Sequence, residues 1–442
     1  MTGNVKDRGA ERAPQDSGRR AFFWRPWLLL AALALSGGAL LSGCSSSDGD
    51  DERWLSAWAA SHNLRETPPD LSNSTVRMIV RPTVSGSSLR VRLENTLGTA
   101  PVSFSGAYVG VAGTGAEVVA GSNRRLSFGG NESLTLAPGA LAWSDPVDMP
   151  VQAFQRLAVS LHVSAASDAS SHSLGLTTNY IARGNVASAA AATGFTPINP
   201  VAQGTSILAF PVYWVGVVDV MSPASGTIAA LGDSITDGRC STTTNGGLLN
   251  GGVVVPDLYQ RWTDILADRL SALPSGQRKA VANAGIAGNR VVSGGNGPPA
   301  LARLDRDVLG LSGVTHVIFF EGTNDISGGA TAATLIDGMQ QVLDRLRARN
   351  LKVIAATAIP RGAPTGGFTA AQEQTRLAVN NWMRAPGRFD GVIDFDTLMA
   401  GGGRSPTGAE IINPPYNCDN VHPNAAGYAA MGQAIDLGLF RN

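Results

Sequence analysis

Cysteine and charge are both scarce in this chain, and each scarcity narrows what it can do. Three cysteines in 442 residues, Cys44, Cys240 and Cys418, give no paired Cys/His spacing of the kind that holds zinc. Charged residues are 15% of the total and the formal net charge is zero, so the concentrated basic surface of a nucleic-acid binder is missing. There is no glycine-rich phosphate loop and no Gly-x-Ser-x-Gly elbow of the α/β-hydrolase type. Histidine is sparse too, at five residues, which leaves few choices for a general base. The hydrophobic fraction is 43%, enough for sizeable cores, and it excludes global disorder. The length allows two domains plus a leader.

Residues 1–43 read as a targeting segment. Arg19 and Arg20 precede an apolar run from Trp27 to Leu41, too short for a stable membrane span and suited to a signal sequence. Leu41-Ser42-Gly43-Cys44 resembles the bacterial lipoprotein box, which implies lipidation at Cys44 and a membrane anchor. The alternative is a simple cleaved signal in which Cys44 is incidental. The paired arginines also resemble a twin-arginine export signal, so the export route stays open between that and the general one. Ser45 stands where an aspartate is associated with inner-membrane retention, which favours the outer membrane. Residues 44–53 form a polar tether. With Cys44 lipidated, Cys240 and Cys418 remain for an oxidising compartment, either bridged or as two buried thiols. A Cα separation beyond about 7 Å excludes the bridge.

From 54 to 222 the pattern is that of an all-β sandwich, jelly-roll-like. Leu89, Val91 and Leu93 alternate with Arg90, Arg92 and Glu94, and Leu157 to Val163 repeat the alternation, as half-buried strands do. Val76–Val80 precedes the first of these across Thr83–Ser87, which predicts a hairpin. His62, His162 and His172 lie among Ser and Ala and read as surface or strand histidines.

From 223 to 442 strands alternate with helices. Strands are predicted at 227–231, 280–284, 316–320, 353–358 and 392–395, with helices over 258–273, 331–349 and 370–384 among those between them. This predicts a three-layer α/β/α, flavodoxin-like domain with a parallel sheet. Crossovers then bring the carboxyl ends of all strands to one edge, where open sheets bind ligands. Four polar clusters fall there: Gly232-Asp233-Ser234, Asn283 through Gly288-Asn289, Gly322-Thr323-Asn324-Asp325, and Asp419-Asn420-Val421-His422.

In that order the four clusters resemble the motifs of the SGNH (GDSL-type) esterases and lipases, over most of residues 227–442. The 54–219 region is more loosely similar to the β-rich front domain of one branch, alongside acetylxylan-esterase-like members. A Gly/Asn/Thr-rich loop at Cys240–Pro256 departs from the family's usual brevity.

The chemistry fits. Ser234 ends the first strand as a nucleophile and needs a base, and His422 is the one histidine in a strand-edge loop; His316 lies at the opposite edge. Asp419 can bend back to orient His422, as the resemblance implies. The backbone N–H groups of Ser234 and Gly288 and the Asn324 side-chain amide match the family's oxyanion hole, with Gly285 competing for the Gly288 role. Asp233 and Asp325 read as turn-holders, Asp237, Asn289 and Arg290 as solvated loop positions with substrate contact as the alternative, and Asp394 and Asp396 have no visible partner. No metal or cofactor is required. The expectation is an exported serine esterase for acetylated or short-acyl carbohydrates, with lipase or other acyl-ester hydrolysis, or non-catalytic glycan binding, as alternatives. Oligomeric state has no signature in the sequence.

Overall fold

The computed structural model describes residues 51–68, 71–198, 202–203, 207–208 and 210–441. The segment read as a signal, the paired arginines, Cys44 and most of the predicted tether lie outside these residues. The chain divides into a unit of Met1–Ser47 and a compact unit of Asp48–Asn442, and the second carries every described residue. Among the described residues no helix is long and apolar enough to cross a membrane.

The β-rich half is built around two main antiparallel sheets over one core, with a three-stranded and a two-stranded antiparallel sheet in addition. Strands Arg53–Ala59, Val215–Ser222, Ser88–Glu94 and Leu141–Trp143 form the smaller main sheet. Ser74–Val80, Leu157–Ala165 and Val102–Val111 lie at the centre of a seven-stranded one. Alternate residues of each face inward: Leu89, Val91 and Leu93 meet Val76, Met78, Leu157, Val159, Leu161 and Phe104 in one buried cluster. The predicted hairpin across Thr83–Ser87 does not form. Ser74–Val80 pairs with Leu157–Ala165, whereas Ser88–Glu94 pairs with Val215–Ser222, so the connection passes between sheets.

The α/β half has five parallel strands: Thr227–Gly232, Ala280–Gly285, Val314–Phe320, Lys352–Ala356 and Gly391–Ile393. Taken in chain order they are arranged 2-1-3-4-5, the flavodoxin-like order, as predicted. Strand periodicity of two sends Ala229, Leu231, Val317 and Phe319 to one face and Ile228, Ala230, Ile318 and Phe320 to the other. Short helix α1 (Ser234–Asp237) follows the first strand, and α2 (Trp262–Ser271) precedes the second. Then come α3 (Ala300–Leu304), α4 (Thr323–Ser327), α5 (Ala332–Arg347), α6 (Ala370–Arg384), α7 (Phe395–Met399) and α8 (Ala425–Ala434). Helices α5 and α6 cover the first face, and α2, α7 and α8 the second. Helix α2 starts at Trp262 rather than 258, because the Arg261 N–H is capped by the Asp264 carboxylate at 2.9 Å.

The two halves are joined by polar groups that a half-buried strand would turn to water. Arg90 pairs with buried Asp219 at 2.9 Å, and Asp219 also accepts from Ser56 (2.7 Å) and Ser312 (2.6 Å). Arg92 donates to the carbonyls of Gly310 (3.1 Å) and Arg306 (3.2 Å). The polar face of Ser88–Glu94 therefore meets the α/β half, not solvent. Thr83 closes an edge of the parallel sheet: its hydroxyl accepts from the Val281 N–H (2.9 Å) and donates to the Ala57 carbonyl (2.9 Å). Replacing Thr83 with isosteric valine leaves the Val281 N–H without its acceptor. Thr83→Val is expected to cost about 1–3 kcal/mol. A denaturant midpoint shifted down at unchanged slope is the expected result, and an unchanged midpoint refutes this role for Thr83.

Candidate active site

Ser234 occupies the first position of α1, directly beyond the first parallel strand. Asp233 caps that helix, its carboxylate accepting from the Ile235 N–H at 3.0 Å, the local turn bond expected of it. Gly232 is required by close approach. A Cβ there would lie 2.4 Å from the Phe320 carbonyl oxygen of the neighbouring strand.

His422 comes from the loop before α8 and lies 188 residues away in sequence, yet its Nε2 is 2.8 Å from Ser234 Oγ. Its Nδ1 faces both Asp419 oxygens, at 2.9 and 3.0 Å. That leaves Nδ1–H as donor to the carboxylate and Nε2 as acceptor for the serine proton. Asp419 is further held by the N–H groups of His422 (2.8 Å) and Val421 (3.1 Å). Burial pushes the Asp419 carboxyl up, but the neighbouring His422 and these N–H donors outweigh it and hold it well below the usual carboxylate range. Burial lowers the His422 imidazole below its ordinary value despite the opposing charge of Asp419.

The second and third clusters are tied to one another. Asn324 Nδ2 donates to the Asn289 carbonyl at 3.0 Å, and Asp325 accepts from the N–H groups of Val291 (2.9 Å) and Val292 (3.3 Å). Asp325 thus holds a distant loop rather than its own turn. Gly285 and Gly288 separate cleanly. Gly285 ends the second strand and its N–H is bound to Asn283 Oδ1 at 2.8 Å. Gly288 has φ +77°, a conformation that favours glycine, and its N–H has no acceptor among the described residues.

Several polar residues differ from their sequence reading. Asp237 is buried, not solvated: one oxygen accepts from the Ala287 N–H at 2.8 Å and the other lies 3.1 Å from His172 Nε2. His172 comes from the β-rich half, is buried, and its Nδ1 lies 2.7 Å from the Ser61 carbonyl. Asn289 is also buried, donating to the carbonyls of Asn296 (2.7 Å) and Pro298 (2.9 Å). Arg290 is half-buried, and its Nε has no partner among the described residues. Asp394 pairs with Arg384 at 2.6 Å, and Asp396 with Arg384 at 2.8 Å and with Arg376. These contacts depend on arginines brought in by α6, which strand-end spacing does not reveal. His62 and His162 are buried against Ser170 (2.9 Å) and Ser105 (2.6 Å), and His316 packs edge-on against Phe440 at the far end of the sheet. A histidine with no local partner in sequence gave no sign of the His172 contact.

Cys240 and Cys418 form a disulfide with a Cα separation of 6.3 Å. The bridge pins the Cys240–Pro256 loop to the loop of His422. Leu249 N–H donates to the Cys418 carbonyl (2.9 Å), and Asn424 Nδ2 to the Gly246 carbonyl (2.7 Å). The same loop reaches the second cluster, where Val254 and Ala287 pack against Leu174, Leu176 and Phe210 of the β-rich half. Cys240 Sγ, Asp419 and His422 are also the one set among the described residues with metal-ligand proximity. The sulfur is oxidised and the other two groups bind one another, so the set does not fit a metal.

Residues 230–430 match the family model described as the GDSL-like Lipase/Acylhydrolase family. Among solved structures, the chain is similar to a GDSL-like lipase from Bacteroides thetaiotaomicron, at 20% identity and TM-score 0.33, covering 49% of this chain and 88% of that one. A member of the lipolytic protein G-D-S-L family from Veillonella parvula matches at 18% identity and TM-score 0.32, over 47% and 94% of the two chains. A psychrotrophic esterase from Pseudoalteromonas sp. matches at 17% identity and TM-score 0.34, over 47% and 93%. Nothing among curated proteins matches.

The His172–Asp237 contact gives the junction of the two halves a pH dependence. Burial lowers the His172 imidazole, but Asp237 and the Ser61 carbonyl raise it further, for a net value above the ordinary one. The stabilisation is therefore complete below about pH 6.5 and is lost as pH rises through the folded-state value. Denaturant midpoints of wild type are expected to fall with rising pH across that window more steeply than those of His172→Gln, which cannot titrate. Parallel curves would remove His172 as the cause.

Proposed function

Because residues 230–430 match the GDSL-like lipase/acylhydrolase family model, we propose that the chain is a serine carboxylic ester hydrolase working through an acyl-enzyme on Ser234. The observation that carries this reading is the unbroken contact from Ser234 Oγ through the His422 ring to the Asp419 carboxylate. His422 takes the Ser234 proton as Oγ attacks the ester carbonyl, and returns it to the departing alcohol oxygen as the carbonyl re-forms. Water then attacks the acyl-enzyme with His422 again as base, releasing the carboxylic acid and restoring the serine. The oxyanion of each tetrahedral intermediate is received by the Ser234 and Gly288 N–H groups and the second N–H of the Asn324 amide. Gly288 is preferred over Gly285 because the latter's N–H is already committed to Asn283.

The favoured substrate is an acetylated or short-acyl carbohydrate. Its support is the resemblance of the β-rich half to the front domain of carbohydrate-active relatives, together with the reach of that half to the site through His172. A second reading, hydrolysis of longer acyl esters, is favoured by exposed Leu249, Val253 and Leu258, which cluster in and beside the loop bridged to the His422 loop. Export with a lipid anchor at Cys44, or secretion after simple cleavage, is consistent with the bridge, since disulfides persist in oxidising compartments. Non-catalytic glycan binding would leave the assembled Ser234–His422–Asp419 contact without a use.

With a chromogenic acetate ester, Ser234→Ala is expected to lose up to about a million-fold in kcat. Wild-type kcat/KM should fall on the acid side with a midpoint below 6.5, because His422 must be neutral to act and its burial lowers its titration. Equal turnover by Ser234→Ala, or a midpoint above 6.5, contradicts the mechanism. A panel from acetylated sugars to long-chain acyl esters separates the substrate readings. Highest kcat/KM on acetylated sugars is expected, and a steady rise with acyl length would select the second.

A further inference from the structure

We propose that Arg303 is a positioning residue that holds the oxyanion donors of the site in register, an inference that rests on the serine-esterase reading. Arg303 lies in α3 with its side chain fully buried, so it cannot touch substrate. Its guanidinium binds the base of two of the three donor-bearing segments. One nitrogen, Nη2, donates to the Gly232 carbonyl at 2.9 Å, two residues before Ser234. Another, Nη1, donates to the Ala284 carbonyl at 2.7 Å, where the second strand ends and turns toward Gly288. The Nε–H donates to Asn289 Oδ1 at 2.9 Å, on the residue that follows Gly288.

The third donor is reached through the same residue. Asn289 accepts the Asn324 amide on its backbone carbonyl at 3.0 Å while its side chain holds the carbonyls of Asn296 and Pro298. On its far side Arg303 is balanced by Asp307 at 3.2 Å and faces Glu321, the residue before Gly322, at 3.8 Å. A planar guanidinium fixes three directions at once, which the point charge of lysine does not. Oxyanion stabilisation is sensitive to such fixing, because the donors act only within about 2.7–3.1 Å of the developing charge.

The test uses Arg303→Lys and Asn289→Ala in the full-length protein, with Ser234→Ala as companion. Asn289→Ala cuts the link from Arg303 to the Gly288 loop while leaving Arg303 its carbonyl and Asp307 partners, so it serves if Arg303→Lys does not fold. Expected is a loss in kcat of about 10–100-fold for each folded variant with KM within about threefold, since the affected interaction is made in the transition state. Affinity for a tetrahedral boronate inhibitor should weaken by a similar factor. Asn324→Ala should also cost less in the Asn289→Ala background than in wild type, as groups acting through one another are non-additive. If Ser234→Ala is inactive but both variants keep kcat and boronate affinity within about twofold of wild type, with only the melting temperature lowered, the positioning role is overturned and the esterase reading stands. If Ser234→Ala turns over like wild type, the esterase reading fails and takes this inference with it.

Discussion

Asp237 is the group on which the rest of the assembly leans. It closes the single turn that begins at Ser234, and its two oxygens reach in different directions. One takes the Ala287 N–H beside Gly288, and the other meets His172 of the β-rich half. A single buried carboxylate thereby sets the nucleophile's turn against the second loop and against the neighbouring sheet. Buried carboxylates need such satisfaction, because an unpaired one costs several kcal/mol. The cost of burying Asp237 is thus tied to three segments being in their places together. Without the β-rich half, Asp237 would lose its His172 partner.

Charge behind the serine is distributed with the same economy. Burial pushes the Asp233 carboxyl up to about 7 and the Glu321 carboxyl to about 8, and it raises Asp325 as well. Neither Glu321 oxygen has a hydrogen-bond partner among the described residues, which suits a neutral acid better than a carboxylate. Asp419, by contrast, is held ionised by His422 and backbone N–H groups. Asp233 and Glu321 lose their charge as pH falls through their raised values, whereas Asp419, against the imidazole, keeps its own.

Much of the α/β half was legible because its signal is local. Alternation between short apolar strands and helical runs gave all five parallel strands to within three residues at each end, and helix α6 at its observed bounds. Three of the polar clusters needed no further information than the rule that parallel strands end on one edge, whereas Asp419–His422 follows no parallel strand and lies in the loop before α8. What escaped was decided by contacts across the two halves. Arg92 and Glu94 look like the wet face of a strand, but they are covered by the α/β half and nearly wholly buried. The 83–87 segment has the composition of a hairpin turn, yet Thr83 is spent on the edge of another sheet. Asp237, Asn289 and His172 carry no periodicity or spacing that distinguishes a buried clamp from a loop residue. Their partners lie 50, 14 and 65 residues away, and only the fold supplies those distances.

The Cys240–Cys418 bridge shows how these two levels meet. Its loop is long, rich in glycine and topped by exposed apolar side chains, features that would ordinarily mark a mobile and dispensable insertion. Here one end of it is bonded covalently four residues before His422, and near its other end Val254 packs against the same Leu174–Leu176–Phe210 cluster as Ala287, beside Gly288. A group that engaged the apolar tip would therefore press on the same backbone segments that carry His422 and Gly288. Closing a loop of 178 residues also removes much of the freedom of the unfolded chain, which loop-closure entropy alone puts at about 5 kcal/mol. The bridge and the exposed apolar tip are thus lodged in one element, and any change that shortens the loop must alter both.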